Sequence, residues 1–141
     1  MSENSETEFA VVLSNFISRA DLRANRDALF VFGDNVKERG FGGQAKEMRG
    51  EPNAVGIPTK WKPAMDEAAF FSDSDLPAIR GLIDERFEEL MRHRASGGKI
   101  VWPALGVGTG LADLPNRAPR VWDYIESKRR ALFDHSVTEL T

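Results

Sequence analysis

The clearest periodic signal lies in residues 76–91. Leu76, Ile79, Ile83, Phe87, Leu90 and Met91 recur three or four positions apart, the spacing of one helix face. Ser74 or Asp75 is placed to cap the start, and Pro77 falls in the tolerated first turn. Arg92, His93 and Arg94 suit the negative end, and Gly97-Gly98 breaks the helix. A different pattern marks the strands. Residues 29–32 (LFVF) are apolar at every position, as in a strand covered on both faces, and Gly33 is expected to end it. Residues 9–13, 53–59 and 99–104 read as further strands. Short helices are predicted over 18–25, with Ser18 as N-cap and Asp21 three residues on, and over 44–49, stopped by Gly50. A last helix spans about 116–134 through Ala118, Val121, Trp122, Ile125, Leu132 and Phe133. Residues 60–73 read as a loop or lid with some helix, and 1–7 and 136–141 as frayed tails. Strands alternating with helices predict one α/β domain over residues 1–141, three layers deep, with a mostly parallel central sheet.

Composition narrows the chemistry. The chain has 141 residues and a net charge of −3, which does not suggest a duplex nucleic-acid binder, since such proteins usually carry a basic face. It has no cysteine, which removes disulfides, thiolate zinc sites and cysteine nucleophiles together. His93 and His135 are far apart in sequence, so no metal site is expected, and no cofactor is called for. No apolar run approaches a membrane span and no signal peptide is visible, so a cytoplasmic protein that does not bind membrane is expected.

Two glycine-rich stretches follow strands. The first, in residues 28–59, carries Gly33, Gly40, Gly42 and Gly43, with Gln44 opening the helix behind them. The second, in residues 100–115, reads IVWPALGVGTGLADLP. In an open α/β sheet ligands bind beyond the carboxyl ends of the strands, so both stretches can face one ligand. Glycine lets backbone amides approach a phosphate with no Cβ in the way, and successive amides form an anion-binding nest. Gly106, Val107, Gly108, Thr109 and Gly110 are candidates for a diphosphate, and Gly33, Gly42, Gly43 and Gln44 for a ribose or second phosphate. Neither stretch is a P-loop, since no Gly-Lys-Ser/Thr ends it, and the glycine spacing is not that of the dinucleotide fingerprint.

Candidate chemistry sits beside the first loop. Asp34 at a strand end either positions a water or bonds its own turn, and Asn35 either orients a ribose hydroxyl or caps that turn. Glu47 and Asp113 are further carboxylates near the loops. Lys37, Arg39 and Lys60 are candidate phosphate partners. Phe41 and Trp61 are candidates to stack on a base, whereas Trp102 in an apolar strand belongs in the core.

The pattern FGDN at 32–35, GFGGQA at 40–45 and WPALGVGTGLADLP at 102–115 resembles the macrodomain, an ADP-ribose-binding α/β module. The resemblance covers roughly residues 28–59 and 98–125. It implies that Asn35 contacts the distal ribose, that Gly42 and Gly43 belong to the first ligand loop, and that Gly106 to Gly110 hold the diphosphate. It implies as ligand an ADP-ribose-like nucleotide or an ADP-ribosylated substrate. The function expected from it is hydrolysis of a bond at the distal ribose, with Asp34 and Asn35 catalytic. The alternative is a non-catalytic module that reads or sequesters an NAD-derived nucleotide.

Overall fold

The computed structural model describes residues 11–140, the side chains of 135–140 excepted. Four strands, β1 (Val11–Ser14), β2 (Ala28–Asn35), β3 (Ala54–Lys60) and β4 (Lys99–Pro103), form one sheet in the order β1-β4-β2-β3. Every strand pair is parallel. The helices are α1 (Arg19–Ala24), α2 (Ala45–Met48), α3 (Leu76–Ala95), α4 (Leu114–Arg117) and α5 (Pro119–Leu140). Two single 3₁₀ turns, Glu67–Ala69 and Asp73–Asp75, interrupt the segment between β3 and α3.

Side chains alternate across a strand, so β2 builds both sides of the core. Val31 joins Val55, Ile57, Ile100 and Trp102 beneath α3 and α5, whose Ile79, Ile83, Phe87, Leu90, Val121 and Ile125 are buried there. Phe30 and Phe32 face the other way, against Leu22 of α1 and Ala45 and Met48 of α2. Burying each large side chain contributes about 1.5–3 kcal/mol relative to exposure. The all-apolar LFVF run is thus a strand sandwiched between two helical layers. Among the described residues no helix is long and apolar enough to cross a membrane.

Several boundaries differ from the pattern-based expectation. Gly33 does not end β2, which continues through Asp34 and Asn35 by pairing with Pro58 and Lys60 across a register shift. The first strand begins within the described residues at Val11, and residues 9 and 10 of its predicted span lie outside them. The last helix is broken at Ala118 (φ −147°), which separates α4 from α5, and α5 runs on to Leu140, six residues past the predicted end. Residues 1–7 and Thr141 of the predicted tails lie outside the described residues. Asp75 does stand at the α3 N-cap but makes no side-chain cap bond there. Its carboxylate accepts from the Ser72 amide at 2.8 Å and from Trp61 Nε1 at 3.2 Å. Pro58, which lacks an amide, is accommodated because β3 is an edge strand.

The α1 start follows the sequence closely. Asp21 donates its amide to Ser18 Oγ, and the Ser18 amide donates to the Asp21 carboxylate, a reciprocal capping box. Glu51 fastens α1 to the chain leaving α2. Arg19 and Arg26 each donate to it at 2.7 Å, and Arg23 at 3.2 Å. Hydrogen bonds from Arg19 and then Arg26, with the charge of Arg23 behind them and burial opposing, hold its carboxyl down to about 2 from an ordinary 4.5. A carboxyl depressed on folding contributes stability that is full above its unfolded value and lost as pH falls through its folded value. Glu51→Gln is therefore expected to melt lower at pH 7 and to flatten the acid loss of stability between pH 4.5 and about 2. Thermal melts across that window test this, and parallel acid limbs for native and variant protein would disprove it.

Candidate functional site

Strand order creates the site. From β2 the chain turns to α2 on one face of the sheet, and from β4 it turns to α4 and α5 on the other. These neighbouring strands send their connections apart, which opens a crevice at their carboxyl ends. A cleft of about 240 Å³ occupies that crevice.

Its lining contains Gly33, Asp34, Asn35, Gly42, Gly43, Gln44, Gly106, Gly108, Thr109 and Gly110, so the topology brings both glycine loops to one cavity. Val107 is the exception. Its side chain is fully buried in the core, and only its backbone is left to face a ligand. The loops approach each other closely enough that a Cβ added at Gly42 would stand 3.7 Å from Leu111 Cδ1. Gly106 (φ +96°) and Gly108 (φ +85°) adopt left-handed backbone, which turns this loop back on itself.

That turn leaves amides unused. Among the described residues, the amides of residues 107–112 donate to no protein acceptor. Val107, Gly108 and Ala112 are buried, where an orphaned N–H is rare and costly. Residues 40–44 of the first loop present a second unpaired run. Thr109 contributes less than its hydroxyl suggests, because that hydroxyl donates to the Leu105 carbonyl at 2.7 Å.

The cleft is cationic within an acidic chain, with Arg39, Arg49 and Lys60 against the single carboxylate of Asp34. Arg39 is exposed, and its guanidinium has no partner among the described residues. Lys60 is 9 % exposed and lies over the Phe70 ring at 4.7 Å. Burial pushes its ammonium below the usual lysine range, the nearby Arg117 charge adds to this, and Asp66 opposes it.

Asp34 and Asn35 are engaged with the protein itself. Both Asp34 oxygens accept from the Arg49 guanidinium, and Oδ1 also accepts the Asn35 amide. Arg49 further donates to the Gly40 and Arg39 carbonyls, so this ion pair ties the first loop to the end of β2. Asn35 is buried, and its Nδ2 donates to the Arg39 carbonyl at 2.8 Å while its Oδ1 accepts the Arg39 amide at 3.4 Å. This is the turn-capping arrangement. Gln44 Oε1 accepts the Gly33 amide at 3.2 Å.

Other candidates lie elsewhere. Trp61 packs edge-on against Phe71 and bonds Asp75, outside the cleft. Trp102 is core, between Phe87 and Phe133. Phe41 is exposed beside the mouth, and Lys37 is exposed away from the lining. Glu47 accepts the Arg19 amide at 2.8 Å, and Asp113 accepts from Asn116 Nδ2 at 2.8 Å. Arg49 and Thr59 line the cleft without having been singled out in the sequence. Thr59, whose hydroxyl donates to the Asp34 carbonyl at 2.9 Å, could have been found as the carboxyl end of a third parallel strand.

A second cavity, of about 300 Å³, shares Gly43, Gln44 and Leu105 with the cleft and continues past Asn15 to Phe16. Phe16 is 98 % exposed and holds a left-handed φ of +53°, which a bulky side chain rarely adopts.

No curated protein and no solved structure matches the chain. One family model matches residues 12–128, which includes all four strands apart from the first residue of β1 and the whole of both glycine loops. The chain belongs to that family, a family of unknown function designated DUF7831.

Proposed function

We propose that the protein binds an ADP-ribose-like nucleotide, with its diphosphate on the second glycine loop and its distal ribose beside Asn35 and the first loop. The observation that carries this reading is the run of unpaired amides at residues 107–112, three of them on buried residues, in a cleft whose side chains are net cationic. A phosphate supplies the acceptors those amides lack and the charge that Arg39 and Lys60 balance. The adjoining cavity toward Phe16 leaves room for the rest of a nucleoside. The macrodomain resemblance of the two loops supports the same ligand.

The reading favours binding over turnover. Asp34, the carboxylate that would activate water, has both oxygens on Arg49, and the Asn35 amide caps its own turn. Calorimetry tests the ligand. ADP-ribose is expected to bind at least about tenfold more tightly than AMP, a difference of about 1.4 kcal/mol, because AMP cannot reach both loops. Equal affinities would remove the distal-ribose site. Incubation with an ADP-ribosylated protein and mass spectrometry tests the second point. The conjugate is expected back unchanged, and release of free ADP-ribose would make the protein a hydrolase.

A further inference from the structure

Among the described residues, three other than glycine hold left-handed backbone: Phe16, Glu38 and Asp113. They follow β1, β2 and β4, in the loops that leave the carboxyl edge of the sheet. Aspartate is enriched in this conformation, whereas glutamate is not. Such an outlier persists where its surroundings over-determine it. Around Glu38 (φ +56°) they do. The Val36 amide donates to the Lys60 carbonyl at 2.8 Å, and the Glu38 amide to the Asn35 carbonyl at 2.9 Å. Asn35 holds both backbone groups of Arg39, and Arg49 donates to the Arg39 carbonyl at 3.1 Å. Glu38 Oε2 accepts from Arg86 Nη2 at 3.1 Å, which fastens the turn to α3.

What the turn presents is the Arg39 side chain. It lines the cleft, and its guanidinium has no partner among the described residues. A flexible cation loses side-chain freedom when it closes on an anion, and a backbone fixed beforehand lowers the cost of binding. We propose that Glu38 and Arg86 are positioning residues, which hold the strained turn so that Arg39 is preset to close on the diphosphate from the side of the first loop. The assignment rests on the reading of the cleft given above. It puts a determinant of affinity on α3, since Arg86 lies outside the cleft lining. The Glu38 side chain is 62 % exposed, so its ion pair adds little to the stability of the fold. Its effect falls on the conformation of the turn, and through it on where Arg39 stands. Glycine at position 38 removes the strain and also lets the turn leave this conformation. The fold is thereby spared while the placing of Arg39 is lost.

ADP-ribose is titrated by calorimetry against the native chain, Arg39→Ala, Glu38→Gly, Arg86→Met, Arg86→Lys and the double variant Arg39→Ala/Glu38→Gly, each with a thermal melt. Arg39→Ala is expected to weaken binding about tenfold, the loss of one charged hydrogen bond. Glu38→Gly and Arg86→Met are expected to weaken it about threefold to fivefold with no fall in melting temperature, and Arg86→Lys to restore native affinity. In the Arg39→Ala background Glu38→Gly is expected to cost nothing further, because partners acting through one group are not additive. Native affinity in Glu38→Gly, native affinity in Arg39→Ala, or the same loss from Glu38→Gly in both backgrounds would each overturn the proposal and leave the reading of the cleft standing. A native chain that binds no ADP-ribose would sink that reading and this assignment with it.

Discussion

Gly110→Val is expected to lose nucleotide binding by about a hundredfold while melting at the native temperature. Gly110 lines the cleft within the run of unpaired amides, and it is exposed. Its backbone φ is not left-handed, and nothing lies within 4 Å of an added Cβ. The fold therefore accepts the substitution, while the branched side chain keeps phosphate away from the amides. Hydrogen bonds to a charged group contribute about 1.5–3 kcal/mol each, so losing one or two accounts for that factor. Gly42→Val makes the same test on the first loop, since its added Cβ meets only Leu111 at 3.7 Å. Gly108→Val behaves differently. There φ is +85° and the added Cβ stands 2.5 Å from Leu114 Cδ1, so strain and overpacking together are expected to cost about 2–5 kcal/mol of stability. Calorimetry and thermal melts on the three variants separate the two effects. A folded Gly110→Val with native affinity would remove the amide loop from the site.

Arg49→Ala is expected to cost about 3–5 kcal/mol of stability, the usual effect of stranding one partner of a buried ion pair. The side chains of Asp34 and Arg49 are 8 % and 15 % exposed, and without Arg49 the carboxylate has no cation beside it. The same change frees the Gly40 carbonyl and leaves the Arg39 carbonyl only the bond from Asn35 Nδ2, so the first loop loosens and nucleotide affinity falls with it. Asp34→Ala strands Arg49 in turn. Removing both is expected to cost less than the two single changes added together, by at least about 1 kcal/mol, because partners in one network couple. Chemical denaturation of the two single variants and the double variant measures that coupling. An Asp34→Asn variant with native stability and abolished turnover would contradict this account and return Asp34 to water activation.

The cleft shows why some of its members are easier to read than others. Glycines are visible in any sequence, and their position after apolar strands put both loops at one edge once the sheet was parallel. The use of Asp34 was not visible, because its partner Arg49 lies 15 residues on, beyond a loop, and only the packing of α2 against β2 brings them together. Trp61 failed as a stacking candidate for a similar reason. An irregular segment leaves the direction of a side chain open, and here Phe71 and Asp75 draw the indole inward.

What the chain determined by itself is what local physics decides. The 76–91 stripe made α3, the reciprocal bonds of Ser18 and Asp21 started α1, and the all-apolar LFVF run required helices on both faces. Each rests on hydrogen bonds or periodicity within a few residues. Only the tertiary structure decided the order β1-β4-β2-β3, the extension of β2 to Asn35 against β3, the burial of Val107, and the pairing of Asp34 with Arg49. These depend on which strands pair and where helices settle, and residues distant in sequence meet only after the sheet has formed.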